Sequence, residues 1–267
     1  METLAPELLG LLLTNYLWGY YPALVQVCKA WHGAIAAHRA SAALQQRKTT
    51  PPAPMSGLAA CGHGELIDWE LEHGRKLNAG RIMAGATQAG HLWLCVRAKA
   101  LGATNYNEML KRAAYEGHKR LCRVARKWGA GEWDEMLSGA AQGGRDEICE
   151  LAVSWGATDY ERMMQAAALG GVERLCRNAR TAGARNYNFM LKQAAYGGRT
   201  HICLLAKEWG AADYNLMLIG AACGGREHIC RLAREWGATD YDAMYDAAKR
   251  RGHSHICLLA LEWGARR

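Results

Sequence analysis

Residues 106–129 read Tyr106-Asn107-Glu108-Met109-Leu110-Lys111-Arg112-Ala113-Ala114-Tyr115-Glu116-Gly117-His118-Lys119-Arg120-Leu121-Cys122-Arg123-Val124-Ala125-Arg126-Lys127-Trp128-Gly129. The glycine that closes this stretch recurs at Gly102, Gly129, Gly156, Gly183, Gly210, Gly237 and Gly264, a step of 27 residues. The cysteine inside it recurs in the same step at Cys95, Cys122, Cys149, Cys176, Cys203, Cys230 and Cys257. A fixed period of roughly 20–50 residues marks a stacked array in which each unit contacts its neighbours.

Two helices fit into one period. Tyr106, Met109, Leu110, Ala113 and Ala114 are spaced as the apolar stripe of a first helix. Asn105 precedes it as an N-cap, with Glu108 three residues on to complete a capping box. Asp159, Asn186, Asp213 and Asp240 hold the cap position in later units. Gly117 stops the helix, and Gly143-Gly144 and Gly197-Gly198 do so further on, because glycine accepts a positive φ. Leu121, Cys122, Val124, Ala125 and Trp128 form the stripe of a second helix, which Gly129 ends. Trp155, Trp209, Trp236 and Trp263 repeat the aromatic plug, whereas Leu101 and Ala182 replace it in two units. Looser packing is expected at those two points.

The pattern Ala-Ala-x-x-Gly-His-x-x-Leu-Cys-x-x-Ala-x-x-x-Gly-Ala, at Ala113 to Ala130, is similar to the ankyrin repeat, with Gly62-His63, Gly90-His91 and Gly117-His118 matching that family's Gly-His turn. The resemblance covers about 210 residues. The unit is shorter than an ankyrin unit, and the shortfall lies where that family places a β-hairpin. Ala130-Gly131-Glu132 is too short for one. The expected fold is therefore all-α. It is a solenoid of about eight hairpin-less, ankyrin-like helix–turn–helix repeats over 58–267, the first (58–78) degenerate, with a small N-terminal helical domain. A different α-hairpin solenoid with a convergent Gly-His turn is the alternative.

Residues 1–45 do not repeat. Leu8, Leu9, Leu12, Leu13, Tyr16 and Leu17 mark one apolar helix face, and Leu24, Val25, Val27, Cys28, Trp31 and Ile35 a second. Pro6-Glu7-Leu8-Leu9, Leu12-Leu13 and Val27-Cys28-Lys29-Ala30-Trp31 resemble an F-box. The sequence departs from that pattern by one missing residue between Pro6 and Glu7, and by Tyr20-Tyr21-Pro22 where an acidic-Leu pair is expected. The resemblance implies that Pro6, Leu8, Leu9, Leu12, Leu13, Val27, Cys28 and Trp31 dock on the linker subunit of a cullin–RING ubiquitin ligase. It also implies a likeness to the adaptors with which viruses and intracellular microbes redirect host ligases. The alternative is a cap that shields the open end of the array. Residues 46–57, with Pro51, Pro52 and Pro54, read as a semi-rigid linker.

Composition narrows the chemistry. Half of the residues are apolar, and the net charge is +8. The N-terminus lacks the pattern of a signal peptide, and Leu8 to Leu13 is too short to span a bilayer. Seven of the ten cysteines share one repeat position, which points to a reducing compartment, cytoplasmic or nuclear. Equivalent positions in stacked helices lie about 8–10 Å apart, too far for a disulfide or for a shared zinc ion. The cysteines read as apolar packing. No phosphate loop, dinucleotide fingerprint or nucleophile elbow appears, so neither catalysis nor a cofactor is expected.

A partner should bind where the repeat varies. Positions three, six, seven and ten of the first helix face away from its stripe. Most units carry polar or small residues there, but Leu169, Phe189, Tyr196, Leu216, Ile219 and Cys223 are apolar. They are expected to form one patch for a target protein. The outer face of the second helix is basic at Lys119, Arg120, Arg123, Arg126, Lys127, Arg174, Arg177 and Arg180, with Glu147, Glu150, Glu208 and Glu235 interspersed. That mixture reads as a solvated convex face. The expected function is a non-enzymatic interaction adaptor, the substrate-recruiting subunit of an F-box-type ligase. A plain scaffold is the second reading and a basic nucleic-acid-binding solenoid the third, with nucleic acid the less favoured partner.

Overall fold

The computed structural model describes Ala59, Gly62, Ile67 and residues 77–266. The segment 1–45 and the linker 46–57 lie outside the described residues, and so does nearly all of the degenerate unit 58–78. Fourteen helices and no strand occur among the described residues. They alternate as first and second helices of seven units. The first helices are α1 (Ala79–Ala89), α3 (Tyr106–Glu116), α5 (Trp133–Gly143), α7 (Tyr160–Gly170), α9 (Tyr187–Gly197), α11 (Tyr214–Cys223) and α13 (Tyr241–Arg251). The second helices are α2 (Leu92–Ala100), α4 (Lys119–Lys127), α6 (Asp146–Ser154), α8 (Glu173–Thr181), α10 (Thr200–Glu208), α12 (Glu227–Glu235) and α14 (Ser254–Glu262). The chain divides into two compact units after Met109.

Helices of 9 to 11 residues are marginal in isolation. Packing holds them. In the second compact unit the first helices stack in succession, α5 on α7, α7 on α9, α9 on α11 and α11 on α13. The stripes supply the core: Met136, Leu137, Met190, Leu191, Met217 and Leu218 are fully buried. A Leu or Met side chain buried this way contributes about 1.5–3 kcal/mol. Ala140, Ala141, Ala194, Ala195, Ala221 and Ala222 are equally buried and let neighbouring helices approach closely.

The helix ends follow the glycines. Gly144 has φ 70°, its N–H donates to the Ala141 carbonyl, and Arg145 N–H donates to that of Ala140. These two bonds make a Schellman cap. The helix runs through Gly143 and stops at Gly144, so the first glycine of the pair has another use, described below. At the starts, Asp159, Asn186, Asp213 and Asp240 accept from the N–H three residues on. Asn105 differs from expectation. Its side-chain amide donates to the Gly80 carbonyl at 3.4 Å, and its Oδ1 has no hydrogen-bond partner, so it links neighbouring helices instead of capping its own.

A further side chain ties unit to unit. From α5 to α11 the second residue of the first helix is Asp, Glu or Asn, and it reaches forward to two backbone N–H groups of the next unit. Asn188 Oδ1 accepts from Ala212 and Asp213, and Asn215 Oδ1 from Thr239 and Asp240. Asp134 does the same for Thr158 and Asp159, and Glu161 for Arg185 and Asn186. These bonds occupy N–H groups that a helix start otherwise leaves open.

Candidate functional site

The residues that repeat prove structural. Cys122, Cys149, Cys176, Cys203 and Cys230 are buried, and loss of solvation pushes each thiol up to about 12. A thiol so raised is a poor nucleophile. Cys223 and Cys257 are half-buried. His201 and His253 each donate from Nε2 to a carbonyl of the preceding unit, Gly171 and Cys223. Among the described residues, no three His, Cys, Asp or Glu side chains are gathered where they could hold a metal ion.

The tryptophans form clamps. Trp155 meets Trp133 edge to face at 5.3 Å, and Trp209, Trp236 and Trp263 meet Tyr187, Tyr214 and Tyr241 in the same way at 5.6, 5.5 and 5.6 Å. A cation lies over each of these tryptophans: Arg126 at 4.6 Å, Arg180 at 4.6 Å, Lys207 at 4.1 Å and Arg234 at 4.7 Å. Edge-to-face pairing and cation–π attraction each add roughly 0.5–1.5 kcal/mol to such an arrangement. Much of the basic second-helix face is therefore engaged within the chain. Lys119 pairs with Glu147, Arg174 with Asp146 and Arg177 with Glu173.

The first-helix face has two regions. Near the helix starts, Glu135 pairs with both Lys111 and Arg162, a chain of charge across three units. The Lys111 hydrogen bond holds the Glu135 carboxyl below its ordinary value. Beyond it the surface turns apolar. Phe189 is exposed, with the Lys192 ammonium 5.2 Å from its ring, and Leu216 and Ile219 are half-buried.

At the helix ends a groove of about 420 Å³ crosses five successive units. Tyr115, Leu169 and Tyr196 line it, together with Arg145, Arg199 and Arg226. These arginines donate from Nε to the carbonyls of Tyr115, Leu169 and Tyr196 at 3.3, 3.3 and 3.4 Å. The bonds satisfy helix C-terminal carbonyls and fix the guanidinium groups along one wall. The floor is close-packed backbone. A Cβ on Gly143, Gly170 or Gly197 would fall within 3.0 Å of the Tyr115, Gln142 or Leu169 carbonyl oxygen.

Of the six expected patch residues, Leu169 and Tyr196 meet in this groove. Phe189, Leu216 and Ile219 lie nearer the helix starts of the same face, and half-buried Cys223 continues the row of Leu169 and Tyr196. The periodic reading passed over the arginines at Gly-Arg turns, although their recurrence at Arg145, Arg199 and Arg226 was visible. It also passed over the exposed second-helix residues Val153, Leu204 and Leu258. The F-box-like residues Pro6, Leu8, Leu9, Leu12, Leu13, Val27, Cys28 and Trp31 lie outside the described residues.

No protein-family model matches the chain, and no curated protein matches it. Among the described residues, no helix is long and apolar enough to cross a membrane.

Proposed function

We propose that this chain is a non-enzymatic interaction adaptor that holds a target protein on its first-helix face. One observation carries the reading: the groove of Tyr115, Leu169, Tyr196, Arg145, Arg199 and Arg226, which extends over five units. Aromatic and arginine side chains are the residues most enriched as binding anchors. A row of guanidinium groups beside apolar rings suits an extended segment with both hydrophobic and acidic side chains. The F-box-like pattern at Pro6 to Trp31 supports a second role, docking on the linker subunit of a cullin–RING ligase. The ankyrin-like turns support the same general use of the array.

Copurification with that linker subunit tests the docking half. It should be robust for the intact chain and lost on Leu8→Asp with Leu12→Asp. An intact chain that never copurifies overturns this half. For the array half, proteins captured by the intact chain should be lost on Tyr196→Asp with Phe189→Asp, with the helical circular dichroism signal unchanged. Capture that survives this pair of substitutions places the target elsewhere.

A further inference from the structure

Within the second compact unit, one joint lacks its clamp. Three residues in a 27-residue step build each clamp: a cation on the second helix, an aromatic residue opening the next first helix, and a tryptophan after the next second helix. Arg126, Trp133 and Trp155 make one, and Arg180, Tyr187 and Trp209 another. Between them the corresponding residues are Val153, Tyr160 and Ala182. The cation and the indole are absent together, while the ring they would cover remains.

The packing registers the gap. A cleft of about 420 Å³ opens between α6 and α8, floored by Cys149, Tyr160, Met163 and Leu175 and flanked by Val153. Met163 is 5 % exposed, whereas Met190, Met217 and Met244 are 0 % exposed. Cys149 is 4 % exposed, against 0 % for Cys122, Cys176, Cys203 and Cys230. Val153 is 38 % exposed. One joint earlier, the equivalent groove is lined by Arg123, Arg126, Lys127, Leu151 and Trp155 and reaches no core residue. Its charge has also reversed. Arg123 and Lys127 become Glu150 and Ser154, so the charged groups of the cleft are Asp146, Glu150 and Arg174.

We propose that this cleft is a docking site for an aromatic side chain, an indole above all, carried by a partner segment with a basic neighbour. Four clamps of the same chain show how the site is filled when complete: an indole edge to face with the opening ring, and a cation over it. The cleft supplies the ring and a net negative rim. The partner supplies the two missing groups. The site is on the second-helix side, apart from the first-helix groove, and stands whether or not that groove binds the target.

The test uses the full chain and two probes, acetyl-Lys-Trp-Lys-amide and acetyl-Lys-Ala-Lys-amide, titrated by calorimetry. The Trp peptide should bind at least ten-fold more tightly. The pair Val153→Arg and Ala182→Trp should fill the cleft from within, weaken Trp-peptide binding at least ten-fold and raise the melting temperature. Should that pair not fold, Val153→Lys, at an exposed position, puts a competing ammonium over Tyr160 and should weaken binding several-fold. Equal affinity for the two peptides, absence of binding by both, or binding unchanged in a folded variant overturns the site. Concentration-dependent self-association abolished by the same substitutions would assign the cleft to a second copy and overturn the partner-segment assignment.

Discussion

Burial decides the character of the repeated cysteine. Its thiol is buried in the stack, and the anion that would react is the form that burial penalises most. Site-resolved alkylation at neutral pH should therefore leave Cys122, Cys176, Cys203 and Cys230 unmodified in the native state and label them on unfolding. Half-buried Cys223 and Cys257 should react before this buried set. Rapid native labelling of the buried set would contradict the packing described. Glu135 shows the opposite environment. Lys111 and Arg162 favour its ionised form, so its folded pKa lies below the unfolded value of about 4.3. Its contribution is present above the unfolded pKa and is lost as pH falls through the folded one. Denaturation of the native chain and Glu135→Gln should differ at pH 7, by about 1 kcal/mol or less for a pair this close to solvent, and converge at low pH.

At the scale of the element, the glycine pairs separate two functions that look alike in sequence. The second glycine, such as Gly144 or Gly198, takes a left-handed φ and ends the helix. The first, such as Gly143 or Gly197, is helical and lets the backbone of one first helix rest against a carbonyl of the one before. Replacement by alanine in a free helix would gain about 1 kcal/mol. Here the added methyl meets backbone, which has no rotamer to change, and overpacking of this kind costs roughly 1–3 kcal/mol. Gly143→Ala should therefore lower the denaturation midpoint despite its better helix propensity. A stabilised variant would show that the units separate freely at this contact.

Across the second compact unit, stability comes from repeated nearest-neighbour terms: alanine-lined helix contacts, forward hydrogen bonds from Asn188 and Asn215, and the aromatic clamps. In such an array local defects are tolerated, because each joint is secured by several independent contacts. The joint at Tyr160 keeps the forward bonds of Asp134 to Thr158 and Asp159 while its clamp is missing. This is how a stacked chain can leave one cleft open without losing the stack.

The 27-residue step, the two stripes and the glycine stops together determine the all-helical repeat, because hydrophobic periodicity and positive φ are local properties of the chain. Ala182 could also be read from the sequence as a break in the tryptophan row. Three features were decided only by the tertiary structure. Asn105 bonds sideways to Gly80, since a neighbouring carbonyl competes with its own helix start. Arginines at the turns line a groove, because stacking brings each one against the helix end of the preceding unit. The loss of Val153's cation and of Ala182's indole falls on one ring, Tyr160, because residues 29 apart in sequence converge on a single joint when units stack. Period alone gives each residue's place within a unit. The contacts between units decide which variations meet.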